Sequence, residues 1–252
     1  MEKWTERVID TLETDETQIL CIADFVDTIE EKEVDGAEEH THEHDESDEH
    51  EESGEHEEHD EHEESGEHDE HDDHVEGSFD EHIWTSPENA IKMLNALEKV
   101  LEKLDNSNSK KYVQNANDYA NKIKLVDNKI REIVENRKRD RLVFVDKMPM
   151  QYFIDYYGLK VTAAFDGCST ETEPSAKTIA YIEDKVKEEK IPVILYIELN
   201  TGNVAKTIAS ETGVTAMQIQ TLHNVSKDDF EAGETWVSLM ERNIPVLKAA
   251  LQ

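Results

Sequence analysis

Residues 193–220 read VILYIELNTGNVAKTIASETGVTAMQIQ. Val193 to Ile197 is a short β-branched and aromatic run of the kind found in buried strands. Val204 to Thr212 carries helical spacing and stops at Gly213, the residue type that closes helices in a left-handed conformation. Ala216 to Gln220 reads as a strand again. A strand, a helix and a second strand in direct succession imply a crossover connection, so the two strands lie parallel.

The same alternation extends in both directions. Leu142 to Val145 (LVFV) reads as a buried strand, Pro149 to Tyr157 as a helix stopped by Gly158, and Val161 to Phe165 as a strand. Pro174 to Lys190 is a helix opened by proline. Ser226 to Leu251 reads as one helix, with Ser226 as N-cap and Asp229 at the third position. The pattern predicts an α/β fold with a parallel sheet covered on both faces. Ligands of such sheets bind at the carboxyl ends of the strands. Upstream, Lys111 to about Arg139 is an uninterrupted periodic run (Tyr112, Ala116, Tyr119, Ile123, Val126, Ile130, Ile133), a helix of roughly 40 Å. Ser86-Pro87 opens another helix, with an apolar stripe at Ile91, Leu94, Leu97, Leu101 and Leu104. Lys3 to Leu12 reads as a short amphipathic helix, and Gln18 to Ala23 as an apolar run of strand length.

Between these regions the chain changes character. The 252 residues carry a formal charge of −35. From Glu30 to Glu81 there are 28 acidic residues and one basic residue, Lys32, leaving −8 for the rest. The acidity belongs to one segment, which excludes a nucleic-acid footprint and favours cations. Ten of the twelve histidines lie in it: His40, His42, His44, His50, His56, His59, His62, His68, His71 and His74. Two consecutive units, EESGEHEEHDEH (51–62) and EESGEHDEHDDH (63–74), differ only by Glu/Asp exchange. From about Thr28 to Ser78 large apolar residues are nearly absent, so the segment is expected to be disordered without metal. Its plain reading is a solvated acidic linker. Its metal reading is a low-affinity tract of imidazoles and carboxylates, the donors of divalent transition metals.

The strand-end rule selects the remaining candidates. Asp146 follows LVFV, Glu198 follows VILYI, and His223 follows AMQIQ; His82 precedes the Ser86-Pro87 helix. Each also has an ordinary reading, as a surface histidine or a solvated or capping carboxylate. Cys21 and Cys168 are far apart and lack CxxC spacing, which makes a disulfide framework or a cysteine zinc site unexpected. No nucleotide, hydrolase or zincin motif is present, and the chain is not expected to be an enzyme. No apolar run approaches the ~20 residues that span a bilayer. The N-terminus shows no signal peptide, which taken literally places the chain in the cytoplasm.

The stretch Asp80-Glu81-His82-Ile83-Trp84-Thr85-Ser86-Pro87-Glu88-Asn89-Ala90 resembles the DPHIWLSPENA signature of substrate-binding proteins of zinc and manganese ABC transporters. Val145-Asp146-Lys147-Met148-Pro149, Tyr196-Ile197-Glu198-Leu199 and His223-Asn224-Val225-Ser226 resemble a Firmicute-type branch of that family. The resemblance implies two lobes with parallel sheets joined by one long helix. It implies a histidine-rich loop just before the His82 motif. The corresponding divisions are a partial N-terminal lobe (1–27), the loop (28–78), the end of the first lobe (79–106), the linking helix (107–140) and a C-terminal lobe (141–252).

The resemblance further implies the following ligands. His82 matches the histidine of the family motif, Asp146 falls where the family places His or Glu, and His223 falls near the last ligand. Glu198 is the weakest candidate. Zinc is the expected cargo, with manganese the alternative, because Asp146 and Glu81 make the site richer in oxygen. The implied partners are a membrane permease and its ATPase, the implied state is a monomer, and the implied place is outside the cytoplasm as a lipoprotein or periplasmic protein. The N-terminal half-lobe of the family is expected to be missing. The rival reading is a metal buffer or metallochaperone without a transporter.

Overall fold

The computed structural model describes residues 8, 9, 11, 12, 18–37, 79–167, 169 and 173–252. The expected helix at Lys3–Leu12 falls mostly outside them. The histidines of the tract and Cys168 lie outside them altogether.

Four strands form one parallel sheet: β1 (Arg141–Met148), β2 (Lys160–Asp166), β3 (Val193–Ile197) and β4 (Thr215–Ile219), in the order β2-β1-β3-β4. The chain leaves β1 toward β2 on one side and returns to β3 on the other. The switch point therefore lies between the carboxyl ends of β1 and β3, where open α/β sheets bind ligands. The helices are α1 (Pro87–Leu104), α2 (Ser109–Glu135), α3 (Gln151–Tyr157), α4 (Ala176–Glu188), α5 (Asn203–Thr212), α6 (Lys227–Ala232) and α7 (Trp236–Leu251).

Strand side chains alternate between two cores. Leu142 and Phe144 of β1 join Leu195 and Ile219 under α2, α3 and α7, against Val126, Ile130, Phe153, Met240 and Leu247. Val143 and Val145 face the other way with Ile194, against Ile182 and Val186 of α4 and Ala205 and Ile208 of α5. Truncating a fully buried aromatic such as Phe144 or Phe153 costs about 3–5 kcal/mol. The long helix α2 buries Ala116, Ala120, Ile123, Val126, Ile130, Ile133 and Val134, close to the expected stripe. On α1 the stripe is only half covered, with Leu97 and Leu104 exposed.

The α/β class and the parallel sheet hold, and three local expectations are corrected. Gln18–Ala23 is not a strand: Ile22–Phe25 forms a 3₁₀ turn, with Val26 N–H donating to Ala23 O. The local bonds of the turn satisfy part of its own backbone in place of a ladder. Ser226–Leu251 is two helices. Gly233 adopts φ 71°, which ends α6, and α7 restarts on a capping box between Thr235 and Ser238.

The third correction concerns the expected disordered loop at 28–78. Residues 28–37 instead form a strap on the C-terminal sheet. Gln151 Nε2 donates to Glu30 O (2.7 Å) and Gln151 Oε1 accepts from Lys32 N (3.0 Å). Asp166 Oδ1 accepts from Val34 N (3.1 Å), and Ala163 N donates to Asp35 O (3.0 Å). Asp35 pairs in parallel with Thr162, so the strap covers the outer edge of β2. Edge addition draws on main-chain hydrogen bonds and needs few apolar side chains, which is why composition missed it. The Asp35 carboxylate accepts from Arg141 Nη1 (2.9 Å), Thr162 Oγ1 (3.0 Å) and Tyr181 Oη. Its partial burial works against the charge. The bonds from Tyr181 and Thr162 and the charges of Lys185 and Arg141 outweigh that burial and hold it below the ordinary carboxylate value.

Candidate metal site

The His82 segment builds itself locally. Asp80 is buried, and its Oδ1 accepts from His82 N (2.7 Å) while standing 3.1 Å from His82 Nδ1. A carboxylate only accepts, so the ring proton sits on Nδ1 and the lone pair on Nε2. His82 O accepts from Thr85 Oγ1 (2.9 Å), and Ser86 Oγ caps α1 by accepting from Asn89 N (3.4 Å). Tyr152 Oη donates to Asp80 O (3.0 Å) and accepts from Ile29 N (3.1 Å), tying both flanks of the tract to α3.

The His82 ring stands over the carboxyl ends of β1 and β2. A Cβ placed on Gly167 lies 3.3 Å from His82 Cε1 and 3.1 Å from both Met148 O and Pro149 Cα. His82 is 3% exposed, while His223 is on the surface, in the loop after β4. Their ring centroids are 5.1 Å apart with planes at 90°. Trp84 completes the group. It meets His82 edge-on at 5.4 Å and stacks beside His223 at 6.1 Å and 28°. Its Nε1 donates to Thr221 O (3.2 Å), and its carbonyl accepts from Trp236 Nε1 (2.8 Å).

The structure brings His82 and His223 together from distant points of the chain. It does not gather Asp146 or Glu198 with them, which corrects the expectation of a common cluster. Among the described residues no three His, Cys, Asp or Glu side chains stand close enough together to hold a metal ion. Both carboxylates accept hydrogen bonds from their own neighbours. Asp146 lies where the β1–β2 register shifts. Its Oδ1 accepts from Lys147 N (2.8 Å) and its Oδ2 from Asn200 Nδ2 (2.7 Å) and Ile197 N (3.3 Å), pinning β1 to β3 at the switch point. Glu198 Oε2 accepts from Thr221 N (2.8 Å), and Oε1 from Thr221 Oγ1 (2.7 Å) and Asn224 N (3.0 Å).

Sequence reasoning did not single out Asp80, Trp84, Gly167 or Thr221. Asp80 carried one usable signal: an aspartate two residues before a histidine can accept that residue's backbone N–H. Thr221 and Gly167 carried none, because their roles arise from neighbours distant in the chain.

The arrangement can serve as a two-imidazole donor pair. Two ring nitrogens at about 2.0–2.1 Å from a tetrahedral ion put the ring centroids roughly 5 Å apart, which matches the observed pair. Imidazole suits zinc better than manganese.

Comparison with known proteins agrees. The family described as "ZnuA: Zinc-uptake complex component A periplasmic" matches residues 1–250. The zinc-binding lipoprotein AdcA of Streptococcus pneumoniae (strain TIGR4) is 29% identical over 248 residues, which take in 98% of this chain and 43% of that protein. The high-affinity zinc uptake system protein ZnuA of Bacillus subtilis is 31% identical over 174 residues, 69% of this chain and 54% of that one. The chain thus spans about half the length of these relatives. Among solved structures, the Zn(II)-bound ZnuA-like domain of S. pneumoniae AdcA superposes with a TM-score of 0.59 at 31% identity, covering 69% of this chain and 64% of that one. The metal-dependent lipoprotein YcdH of B. subtilis gives 0.62 at 29% identity, covering 72% and 68%. With the motif around His82, the parallel sheet and these matches in agreement, the chain belongs to the family of the periplasmic component A of zinc-uptake complexes.

Proposed function

We propose that this chain captures zinc outside the cytoplasm and hands it to the permease of an ABC-type importer. The observation that carries this reading is the His82–His223 pair, buried on one side and open on the other, at the spacing of two imidazoles on one ion. Family membership supports the cargo and the transport setting. His82 contributes Nε2, with Asp80 fixing the ring through Nδ1. His223 contributes its imidazole from the loop after β4. Asp146 and Glu198 do not stand in one group with these imidazoles, and in this reading they hold the strand ends. Capture and handover ask for no chemical step. The long helix α2 and the Trp84–Thr221 and Trp236–Trp84 bonds favour small displacements over wide closure, so release follows from shifting one ring against the other.

The ten histidines between His40 and His74 serve in this reading as auxiliary low-affinity ligands that raise metal concentration near the pair. Their imidazoles bind only when neutral, so this capture weakens below about pH 6.5.

Titration of the chain with Zn(II) against a chromophoric chelator tests the proposal. One tight site plus weaker ones is expected. His82→Ala and His223→Ala each remove the tight site, and deletion of residues 38–76 removes only the weak ones. A tight site that persists in the double histidine variant refutes the assignment. A tight site lost on deletion refutes the auxiliary role of the tract. Manganese is expected to compete poorly.

A further inference from the structure

We infer that Glu198 is a positioning residue: it fixes His223 for zinc through Thr221, and does so without touching the ion. This rests on the zinc-binding reading above. His223 lies exposed on the loop after β4, with its ring beside those of His82 and Trp84. What holds the loop is a buried polar node. Glu198 is 6% exposed and Thr221 0%. Thr221 uses every polar group it has. Its N–H donates to Glu198 Oε2 (2.8 Å) and its hydroxyl donates to Glu198 Oε1 (2.7 Å). The same hydroxyl accepts from His223 N (3.3 Å), and its carbonyl accepts from Trp84 Nε1 (3.2 Å). Glu198 Oε1 also accepts from Asn224 N (3.0 Å), so its bonds bracket His223 on both sides in the chain.

The backbone shows that this placement is imposed. Leu222, between Thr221 and His223, has φ 62°, and Leu199, next to Glu198, has φ 63°. Left-handed conformations disfavour residues with a Cβ and persist where surrounding bonds over-determine them. Two such leucines flank one carboxylate that accepts three hydrogen bonds. Because Thr221 also receives Trp84, which follows His82 by two residues, the node sets the spacing of the two imidazoles from both sides.

The chemistry of the node defines the test. A glutamine at 198 offers one acceptor oxygen and an NH₂ where donors already point. Thr221→Val keeps the shape and removes the hydroxyl; Thr221→Ser keeps the hydroxyl. The full chain and the variants Glu198→Gln, Thr221→Val and Thr221→Ser are titrated with Zn(II). The His223 ring-proton shifts of the metal-free proteins, displaced by Trp84, are followed by NMR. Glu198→Gln and Thr221→Val are expected to lose about 10- to 100-fold in zinc affinity, the usual effect of removing a group that orients a metal ligand. Their His223 shifts are expected to move toward those of free imidazole, while Thr221→Ser stays close to the parent in both readouts. Unchanged affinity and unchanged shifts in Glu198→Gln and Thr221→Val overturn the inference. So does a loss shared equally by Thr221→Ser, which marks the methyl group and not the hydroxyl. If Glu198→Gln fails to fold by circular dichroism, the Thr221 pair decides. If the parent chain binds no zinc, the proposed function falls, and the metal-free ring shifts alone decide whether Glu198 sets His223.

Discussion

Replacing Asp80 with alanine isolates how much of the site depends on holding one ring. Asp80 is 2% exposed and uses a single oxygen for both the backbone N–H and the ring Nδ1 of His82. Alanine leaves that N–H without its partner, which costs about 1–3 kcal/mol of stability. It also frees the ring to rotate and to exchange tautomers, which weakens zinc binding by about 10- to 100-fold, or roughly 1.4–2.7 kcal/mol. Asparagine keeps an acceptor oxygen and removes the charge, so Asp80→Asn is expected at the mild end, near tenfold. Melting with and without zinc gives the clearest contrast. At free zinc 100 times the parent dissociation constant, binding stabilises the parent by about 2.7 kcal/mol. A variant weakened 100-fold gains only about 0.4 kcal/mol under the same conditions. Competition titration with a chromophoric chelator supplies the affinities. Asp80→Ala and Asp80→Asn both binding zinc within about twofold of the parent, with intact folds, would show that the Asp80–His82 contact does not orient a ligand.

Three other outcomes follow from the structure. Asn243→Leu removes the side chain that pairs with both backbone groups of Gln220 (2.8 Å each) inside the core; about 2–4 kcal/mol should be lost, read as a lower urea midpoint with an unchanged slope. Gly167→Ala places a methyl group 3.3 Å from His82 Cε1 and 3.1 Å from Met148 O, so zinc affinity should fall while circular dichroism stays native; equal affinity would mean His82 does not rest on Gly167 when loaded. Asp35, held below its ordinary value of 3.8, contributes stability that is fully present above pH 3.8 and is lost as pH falls through its folded value. Acidification should therefore lower the amide protection factors at Val34 and Ala163, each taken against the intrinsic exchange rate at the same pH, and Asp35→Asn should lower them already at neutral pH and flatten the acid response.

The sequence by itself determined what depends on near neighbours. The strands at 142–145 and 193–197 were legible because continuous apolar runs rich in β-branched and aromatic residues bury on both faces, and α2 because its apolar residues recur every three or four positions. The cap at Ser86, the stops at Gly158 and Gly213 and the chemistry of the His82 motif were equally local. The tertiary structure alone decided which strand-end groups face a ligand. Asp146, Glu198 and His223 look alike in the sequence, as polar residues at or just beyond strands. In the fold, neighbouring donors take up the two carboxylates, and only the imidazole of His223 reaches His82. The strap at 28–37 was hidden for the same reason: its backbone groups and the Asp35 carboxylate find their partners on β2 and its neighbours, far away in the chain, and no composition reveals such pairings.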